Sequence, residues 1–200
     1  MKSQQRTEIM NASKFIEAYA TDSVEYISFK WNGKHADELI DENLHFRREI
    51  IKYIESINYQ NIHGNLLRDL LVAESQYAKE AWGIYRHYNL LVENLVRQTG
   101  TIYLDDLLEA ASLSFDTYCS TLAADLTGID IDKIIIEIKS RRTKIHDENI
   151  LKMYDLGIDI FTSFKAKQNN LDNYMRGELN TSKSTIFKKL LRIIKKNFGS

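Results

Sequence analysis

Apolar residues recur at steps of three and four along most of this chain, the spacing that places them on one face of an α-helix. The longest such stretch covers about residues 65–98. Its apolar positions are Leu66, Leu70, Ala73, Tyr77, Ala81, Ile84, Tyr88, Leu91 and Leu95. We expect this stretch to form the central helix of the fold, with a bend at Gly83.

The same spacing predicts further helices, separated by short turns that contain glycine or asparagine. The predicted segments span about 5–30, 36–58, 65–98, 102–126, from about 130 to 140, 147–176 and 184–198. The isoleucine run 134–136 also fits a strand, but charges at helical spacing around it favour a helix. Long helices joined by short turns pack antiparallel, so the sequence predicts an all-α, up-and-down helical bundle.

Composition narrows the class of protein. Apolar residues make up 44% of the chain, enough for a sizeable core, and no proline interrupts the predicted helices. The single cysteine, Cys119, has no partner for an internal disulfide, and its apolar helix face predicts a core position. We find no signal-peptide pattern and no membrane-spanning run of about 18 apolar residues, so we expect a cytoplasmic protein.

Charge is distributed unevenly along the chain, although the net charge is only −1. Residues 183–200 contain six lysines and arginines and no acid, so the remaining residues together carry −7. We therefore divide the chain into a helical bundle domain, residues 1–182, and a cationic amphipathic C-terminal helix, residues 183–200.

The C-terminal segment combines these cations with a broad apolar face. The apolar residues are Ile186, Phe187, Leu190, Leu191, Ile193, Ile194 and Phe198. We expect this face to pack on the acidic bundle. Three other partners stay open: RNA phosphates bound by Lys188, Lys189 and Arg192, a groove on a partner protein, or weak membrane-surface contact through residues 184–198.

One short motif suggests chemistry. Arg141 is followed, after four residues, by His146 at the start of a late predicted helix. A guanidinium binds phosphate through two parallel hydrogen bonds and stays charged. A histidine exchanges protons near neutral pH, as is needed to activate a ribose 2′-hydroxyl. The two side chains together suit RNA cleavage without a metal ion.

This arginine-x4-histidine pattern resembles the motif of HEPN domains, all-α bundles of about four helices, over about residues 65–176. The resemblance implies a module of RNA processing, bacterial defence or toxin–antitoxin type. Arg141 and His146 would be the catalytic residues of a metal-independent ribonuclease, with Arg142 and Lys144 as further RNA-binding residues. Active members of that family form homodimers with a composite site, and no metal or cofactor is implied.

The chain departs from the family pattern at Arg142, where HEPN domains usually place a small polar residue, often asparagine. In the alternative interpretation, Arg141, Arg142 and Lys144 stabilise the negative end of a helix dipole, and His146 is a turn residue. The protein would then be a non-enzymatic helical interaction protein, such as an antitoxin, immunity or adaptor component.

Two other patterns carry less weight. Glu42 and His45 have the Glu-x-x-His spacing of di-iron bundles, but those sites need two such motifs, so we expect no metal. Residues 85–88 (Tyr-Arg-His-Tyr) resemble a stacking platform for bases, although the helical spacing places Tyr88 in the core.

Overall fold

A computed structural model describes residues 11–59 and 62–170, and within them the chain is all-α, as predicted. The α-helices are α1 (Ala12–Glu17), α2 (Leu44–Ser56), α3 (Gly64–Ala81), α4 (Tyr88–Thr99), α5 (Leu104–Ser112), α6 (Phe115–Leu122), α7 (Ile131–Arg142) and α8 (148–170). Two 3₁₀ helices, Thr21–Tyr26 and Ala36–Glu38, lie between α1 and α2. The described residues contain no strand, only an isolated bridge between Trp31 and Asp41.

Several helices that the sequence predicts as long and continuous are each divided into two. The predicted helix boundaries are therefore wrong at these points, while the all-α fold class is confirmed. The central helix ends at Ala81 because Trp82 adopts a left-handed conformation, with φ 53° and ψ 40°. The chain then reverses and continues as α4. A Cβ placed on Gly64 would lie 2.5 Å from Thr99 Cγ2, so the start of α3 meets the end of α4 and the two helices are antiparallel.

The predicted helix 102–126 is divided at Ser114, which caps a new helix. The Ser114 hydroxyl accepts a hydrogen bond from the Thr117 amide at 3.1 Å, and the Ser114 amide donates to the Thr117 hydroxyl at 3.0 Å. This reciprocal capping starts α6 as a separate helix. The residues of α6 that face the core are therefore not those that a continuous helix from α5 would bury. The prediction that Cys119 lies in the core is therefore wrong: Cys119 is exposed, and Thr117 and Thr121 are buried.

The core forms around α3, which packs against α4, α5 and α6. Leu66, Leu67, Leu70 and Leu71 on α3 are completely buried. The central role predicted for this stretch is thus confirmed, even though two helices share it. Ile84, in the connection between them, is partly buried and packs against the core.

Helix α8 crosses α5 at close range, and a glycine permits this approach. A Cβ on Gly157 would lie 2.7 Å from Cδ2 of the buried Leu108, closer than atoms can pack. Nearer the start of α8, the Tyr154 hydroxyl donates to Asp105 Oδ1 on α5 at 2.7 Å. Helix α8 is therefore joined to the bundle by packing and by a hydrogen bond.

A fully buried ion network joins α2, α3 and the chain that precedes α2. The side chains of Arg47, Asp41 and Glu74 are all 0% exposed. Arg47 Nε donates to Glu74 Oε1 at 2.8 Å, and a terminal nitrogen of Arg47 donates to Asp41 Oδ2 at 2.7 Å. A second terminal nitrogen reaches the Ile27 carbonyl at 3.3 Å. Buried charges are tolerated only when paired and hydrogen-bonded in this way.

Through Asp41, the network orders an irregular segment that we call the Trp31 loop, residues 29–42. Asp41 Oδ1 accepts hydrogen bonds from the Lys30 amide at 3.0 Å and the Asn43 amide at 3.1 Å. At the tip, Asn32 Oδ1 accepts from the amides of Lys34 and Ile40, both at 3.1 Å. The loop therefore has a defined shape, although its regular secondary structure is limited to the short 3₁₀ helix Ala36–Glu38.

Replacing Arg47 with methionine should destabilise the fold strongly. Asp41 would remain buried without its cation, and Glu74 would keep only Arg48, at 3.3 Å. Removing one partner of a buried ion pair typically costs about 3–5 kcal/mol. The control is Lys34→Met, which breaks an exposed ion pair with Glu38 and should cost less than about 1 kcal/mol. Urea unfolding of both variants measures the difference. Equal losses for the two would contradict a structural role for the network.

Candidate functional site

The arginine-x4-histidine motif lies at a helix junction, as the sequence predicts. Arg141 and Arg142 are the last two residues of α7, and α8 begins at residue 148. His146 lies in the short connection between these helices.

Arg141 is held by three protein groups. Its Nε donates to Glu137 Oε1 at 2.8 Å, one terminal nitrogen donates to the Thr101 carbonyl at 2.8 Å, and the other lies 3.1 Å from Asp105 Oδ2. Burial alone would lower the pKa of Arg141, but the hydrogen bonds to Glu137 and Asp105 raise it. The guanidinium thus joins the end of α7 to the start of α5, and a phosphate would have to displace these partners.

Asp105 is the centre of this contact, since it also accepts the Tyr154 hydroxyl. Burial, together with that hydrogen bond, raises the pKa of Tyr154 to about 12, so the hydroxyl remains a donor at neutral pH. One carboxylate therefore connects α5, α7 and α8.

The other predicted residues of the motif are not drawn together. Arg142 forms a bidentate ion pair with Asp155 on α8, with Nε 2.7 Å from Oδ1 and a terminal nitrogen 3.0 Å from Oδ2. This pair raises the pKa of Arg142 and lowers that of Asp155. Lys144 and His146 are exposed. Within the described chain, no hydrogen bond or ion pair joins His146 to Arg141. The predicted binding residues Lys188, Lys189 and Arg192 lie outside the described residues.

The Glu-x-x-His pair is separated. His45 is 87% exposed and lies 3.7 Å from Glu49, while Glu42 lies 3.4 Å from Lys30. In residues 11–59 and 62–170, no three histidine, cysteine, aspartate or glutamate side chains are placed to share a metal ion. None of the helices in this part of the chain combines the length and apolarity that a membrane crossing requires.

A groove of about 240 Å³ lies between α8 and the turn that follows α6. Residues 124–127, with Phe164, form most of its wall. Lys167 Nζ donates to the Leu122 carbonyl at 2.6 Å, and Gln168 donates to the Leu126 carbonyl at 2.8 Å. These polar groups fasten α8 to the end of α6, so they are engaged in structure rather than free for a ligand.

Both tryptophans of the chain lie at the surface, a feature that the helical spacing does not predict. Trp82 is 76% exposed and Trp31 is 40% exposed. Trp82 stands outside the apolar stripe and precedes Gly83, and Trp31 precedes the turn pair Asn32-Gly33. The available signal was therefore a large aromatic residue placed at a turn instead of on a helix face.

Contacts place the two tryptophans at the same end of α3. The Trp31 ring lies 4.9 Å from the His35 ring, and His35 Nδ1 lies 2.9 Å from Glu80 Oε2. Glu80 is two residues before Trp82. We call the surface formed by Trp31, His35, Glu80 and Trp82 the tryptophan face.

Aromatic rings support this face from within the fold. Phe29 is stacked with Trp31 and meets Tyr77 edge-on, both with ring centroids 6.4 Å apart. The guanidinium of Arg48 lies over Tyr77 at 4.7 Å and over Tyr85 at 5.3 Å. Such cation–aromatic contacts favour a rigid arrangement.

The suggested stacking platform at residues 85–88 takes part in this support. Tyr88 is completely buried, as predicted. Tyr85 and His87 are partly buried and meet edge-on at 6.0 Å. The Tyr85 hydroxyl donates to Glu55 at 3.3 Å, and burial, with this carboxylate, raises the pKa of Tyr85 to about 12.

No protein-family model, curated protein sequence or solved structure matches the chain. The geometry of the described residues therefore carries the functional argument.

Arg141→Met should lower the free energy of unfolding by about 1 kcal/mol, because the partly exposed network of Arg141, Asp105 and Glu137 loses its donor. Arg142→Met is the matched control, since its pair with Asp155 is exposed to water and contributes less. Chemical denaturation measures both variants. If Arg141→Met leaves stability unchanged, the three contacts of Arg141 do not hold the helices together.

Proposed function

We propose that this chain is a non-catalytic helical interaction module that binds a partner through the tryptophan face. This is the non-enzymatic alternative raised by the sequence, now with a specific surface. The observation that carries it is the conformation and exposure of Trp82.

Trp82 contributes little to folding and strains the backbone. A left-handed conformation costs a residue with a Cβ about 1–2 kcal/mol, which is why glycine usually occupies this position after a helix. Trp82 recovers little of this cost by burial, since it is 76% exposed. Strained, exposed residues of this kind cluster at functional sites. Tryptophan is also among the residues that contribute most to binding energy at protein interfaces.

Trp31 adds a second aromatic contact that is held in place before any partner binds. Its loop is fastened to the buried Arg47 network through Asp41, and its ring is stacked on Phe29. The indole nitrogen donates to the Lys34 carbonyl within the same loop. A side chain that is already ordered loses less conformational entropy on binding, so its burial adds more to affinity.

Trp82→Gly should leave the free energy of unfolding unchanged or raise it by up to about 1 kcal/mol, because glycine relieves the left-handed strain. Trp82→Ala is the matched control, since alanine removes the ring but keeps a Cβ, and it should show no such gain. Thermal and urea unfolding measure both. A loss of about 2–5 kcal/mol, as for a core residue, would show that Trp82 serves the fold and would refute this proposal.

A second candidate, the HEPN-like ribonuclease, is favoured by one observation: Arg141 and His146 lie at a junction between two late helices. In this hypothesis two protomers bring their motifs together around RNA, and Arg141 exchanges its protein partners for the scissile phosphate. His146, which is exposed, would transfer the proton.

The ribonuclease hypothesis predicts cleavage of mixed RNA in EDTA by the full chain. His146→Ala should reduce the rate by about 10²–10⁴ without unfolding the protein, because the exposed imidazole contributes little packing. Arg141→Lys should also fail, since lysine lacks the paired donors of a guanidinium. Equal cleavage by wild type and His146→Ala, or none by either, would exclude this candidate.

A further inference from the structure

We propose that the ion pair between His35 and Glu80 is a pH switch: it holds the tip of the Trp31 loop on α3 when His35 is protonated, and it releases the tip when His35 is neutral. The pair lies within the tryptophan face, so its functional consequence rests on the proposed function. The contact itself is a property of the folded chain and can be tested without a partner.

Three contacts, at steps of three residues along α3, attach the Trp31 loop to that helix. The residues of α3 that take part are Glu74, Tyr77 and Glu80. The first is reached through Arg47 in the buried network that also binds the end of the loop. The second meets Phe29, at the start of the loop, edge-on with ring centroids 6.4 Å apart. The third pairs with His35 at the tip. The two ends of the loop are thus bound earlier on α3, and the tip is bound at the end of the helix.

The contact at the tip differs from the other two in its access to water and protons. The Arg47 network is completely buried, and the contact between Phe29 and Tyr77 involves no charge. The His35 side chain is 54% exposed, and its Nδ1 lies 2.9 Å from Glu80 Oε2. In residues 11–59 and 62–170, no other ion pair joins the Trp31 loop to α3. Because histidine changes charge between about pH 5 and 8, this contact responds to pH near neutrality.

On the helix side, Glu80 keeps a partner when His35 loses its proton. Lys79 Nζ lies 3.7 Å from Glu80 Oε1, the oxygen that His35 does not contact. Among the described residues, Lys79 and His35 are the cationic groups within salt-bridge distance of Glu80. Glu80 is only 14% exposed, and Lys79 belongs to the same helix. Deprotonation of His35 therefore frees the tip of the loop and leaves the carboxylate in place.

The loop side offers no substitute for His35. Lys34, the neighbouring cation, lies 2.7 Å from Glu38 within the loop. The 3₁₀ helix that follows His35 packs against α3, but its side chains Asp37 and Glu38 are exposed and carry the same sign of charge as Glu80. Once the imidazolium charge is lost, the charges of the tip and of Glu80 therefore no longer attract each other.

This switch makes binding at the tryptophan face depend on pH. The ring of Trp31 lies 4.9 Å from the ring of His35, so the ion pair keeps Trp31 at the end of α3, where Trp82 lies. When the tip is released, a partner has to order it again on binding, and the affinity falls. The tryptophan face is therefore fully assembled at mildly acidic pH and loosened at alkaline pH.

Intrinsic fluorescence of the full chain tests the switch. Trp82→Phe leaves Trp31 as the single tryptophan and serves as the background for all variants. Acrylamide quenching and fluorescence anisotropy of Trp31 are measured at about pH 5.5 and about pH 8.5, on either side of the range in which histidine titrates. We expect stronger quenching and lower anisotropy at the higher pH, because a released tip is more accessible and more mobile. A partly exposed ion pair changes the ratio of bound to released tip by roughly two- to five-fold.

Three substitutions assign the effect to the ion pair. His35→Gln and Glu80→Gln each remove one charge, so both should give the high-pH values at either pH. His35→Lys keeps a cation over the whole range, so it should give the low-pH values at either pH. The matched control is His45→Gln, which breaks another histidine–glutamate pair: His45 is 87% exposed and lies 3.7 Å from Glu49 on α2. This control should keep the pH dependence of the background.

Two results would overturn the switch. One is equal quenching and anisotropy of Trp31 at the two pH values. The other is a pH dependence that persists in Glu80→Gln, which would show that His35 acts on Trp31 without the ion pair. Unfolding of Trp82→Gly separates this inference from the proposed function. If Trp82→Gly is tolerated while Trp31 does not respond to pH, only the switch fails; if Trp82→Gly behaves as a core mutation, the proposed function fails whatever the response of Trp31.

Discussion

The buried pairing of Arg47 with Asp41 and Glu74 is the constraint on which the surface of this protein depends. A charged triad without access to water is stable only if each charge keeps its partners, so the three residues fix the relative positions of α2, α3 and the preceding loop. Asp41 uses its second oxygen to hold the Trp31 loop, so the position of a surface tryptophan is set by a contact in the interior. The network thus connects folding with the shape of the proposed binding surface.

The helix period predicts the core well, because burial of apolar side chains decides most helix faces. Leu66, Leu70 and Leu91 are buried as the spacing requires, and the isoleucines at the start of α7 are helical. The divisions of the long helices were harder to predict. Apolar spacing continues through Trp82 and Ser114, and only local backbone features, a left-handed residue and a reciprocal cap, end one helix and begin the next.

Residue spacing predicts the position of the candidate site along the chain but not the contacts of its side chains. The spacing of Arg141 and His146 predicts a helix junction, and the junction is present. Spacing says nothing about which carboxylates surround an arginine, and here Glu137 and Asp105 come from separate helices. Arg47 is a similar case, since its sequence position gives no sign of complete burial, and its partner on α3 lies 27 residues away. Long-range ion pairing depends on how helices pack, which a single sequence does not reveal.

Trp82 shows how a single exposed residue can lower the stability of a fold. Trp82 occupies a left-handed backbone position that suits glycine, although the glycine in the sequence, Gly83, is the next residue. A glycine at position 82 would relieve the strain. An exposed indole also favours non-specific association with other molecules, and a second exposed indole at the same end of α3 increases this tendency. The strained backbone of Trp82 and the ordered Trp31 loop are the two features on which the proposed binding surface depends.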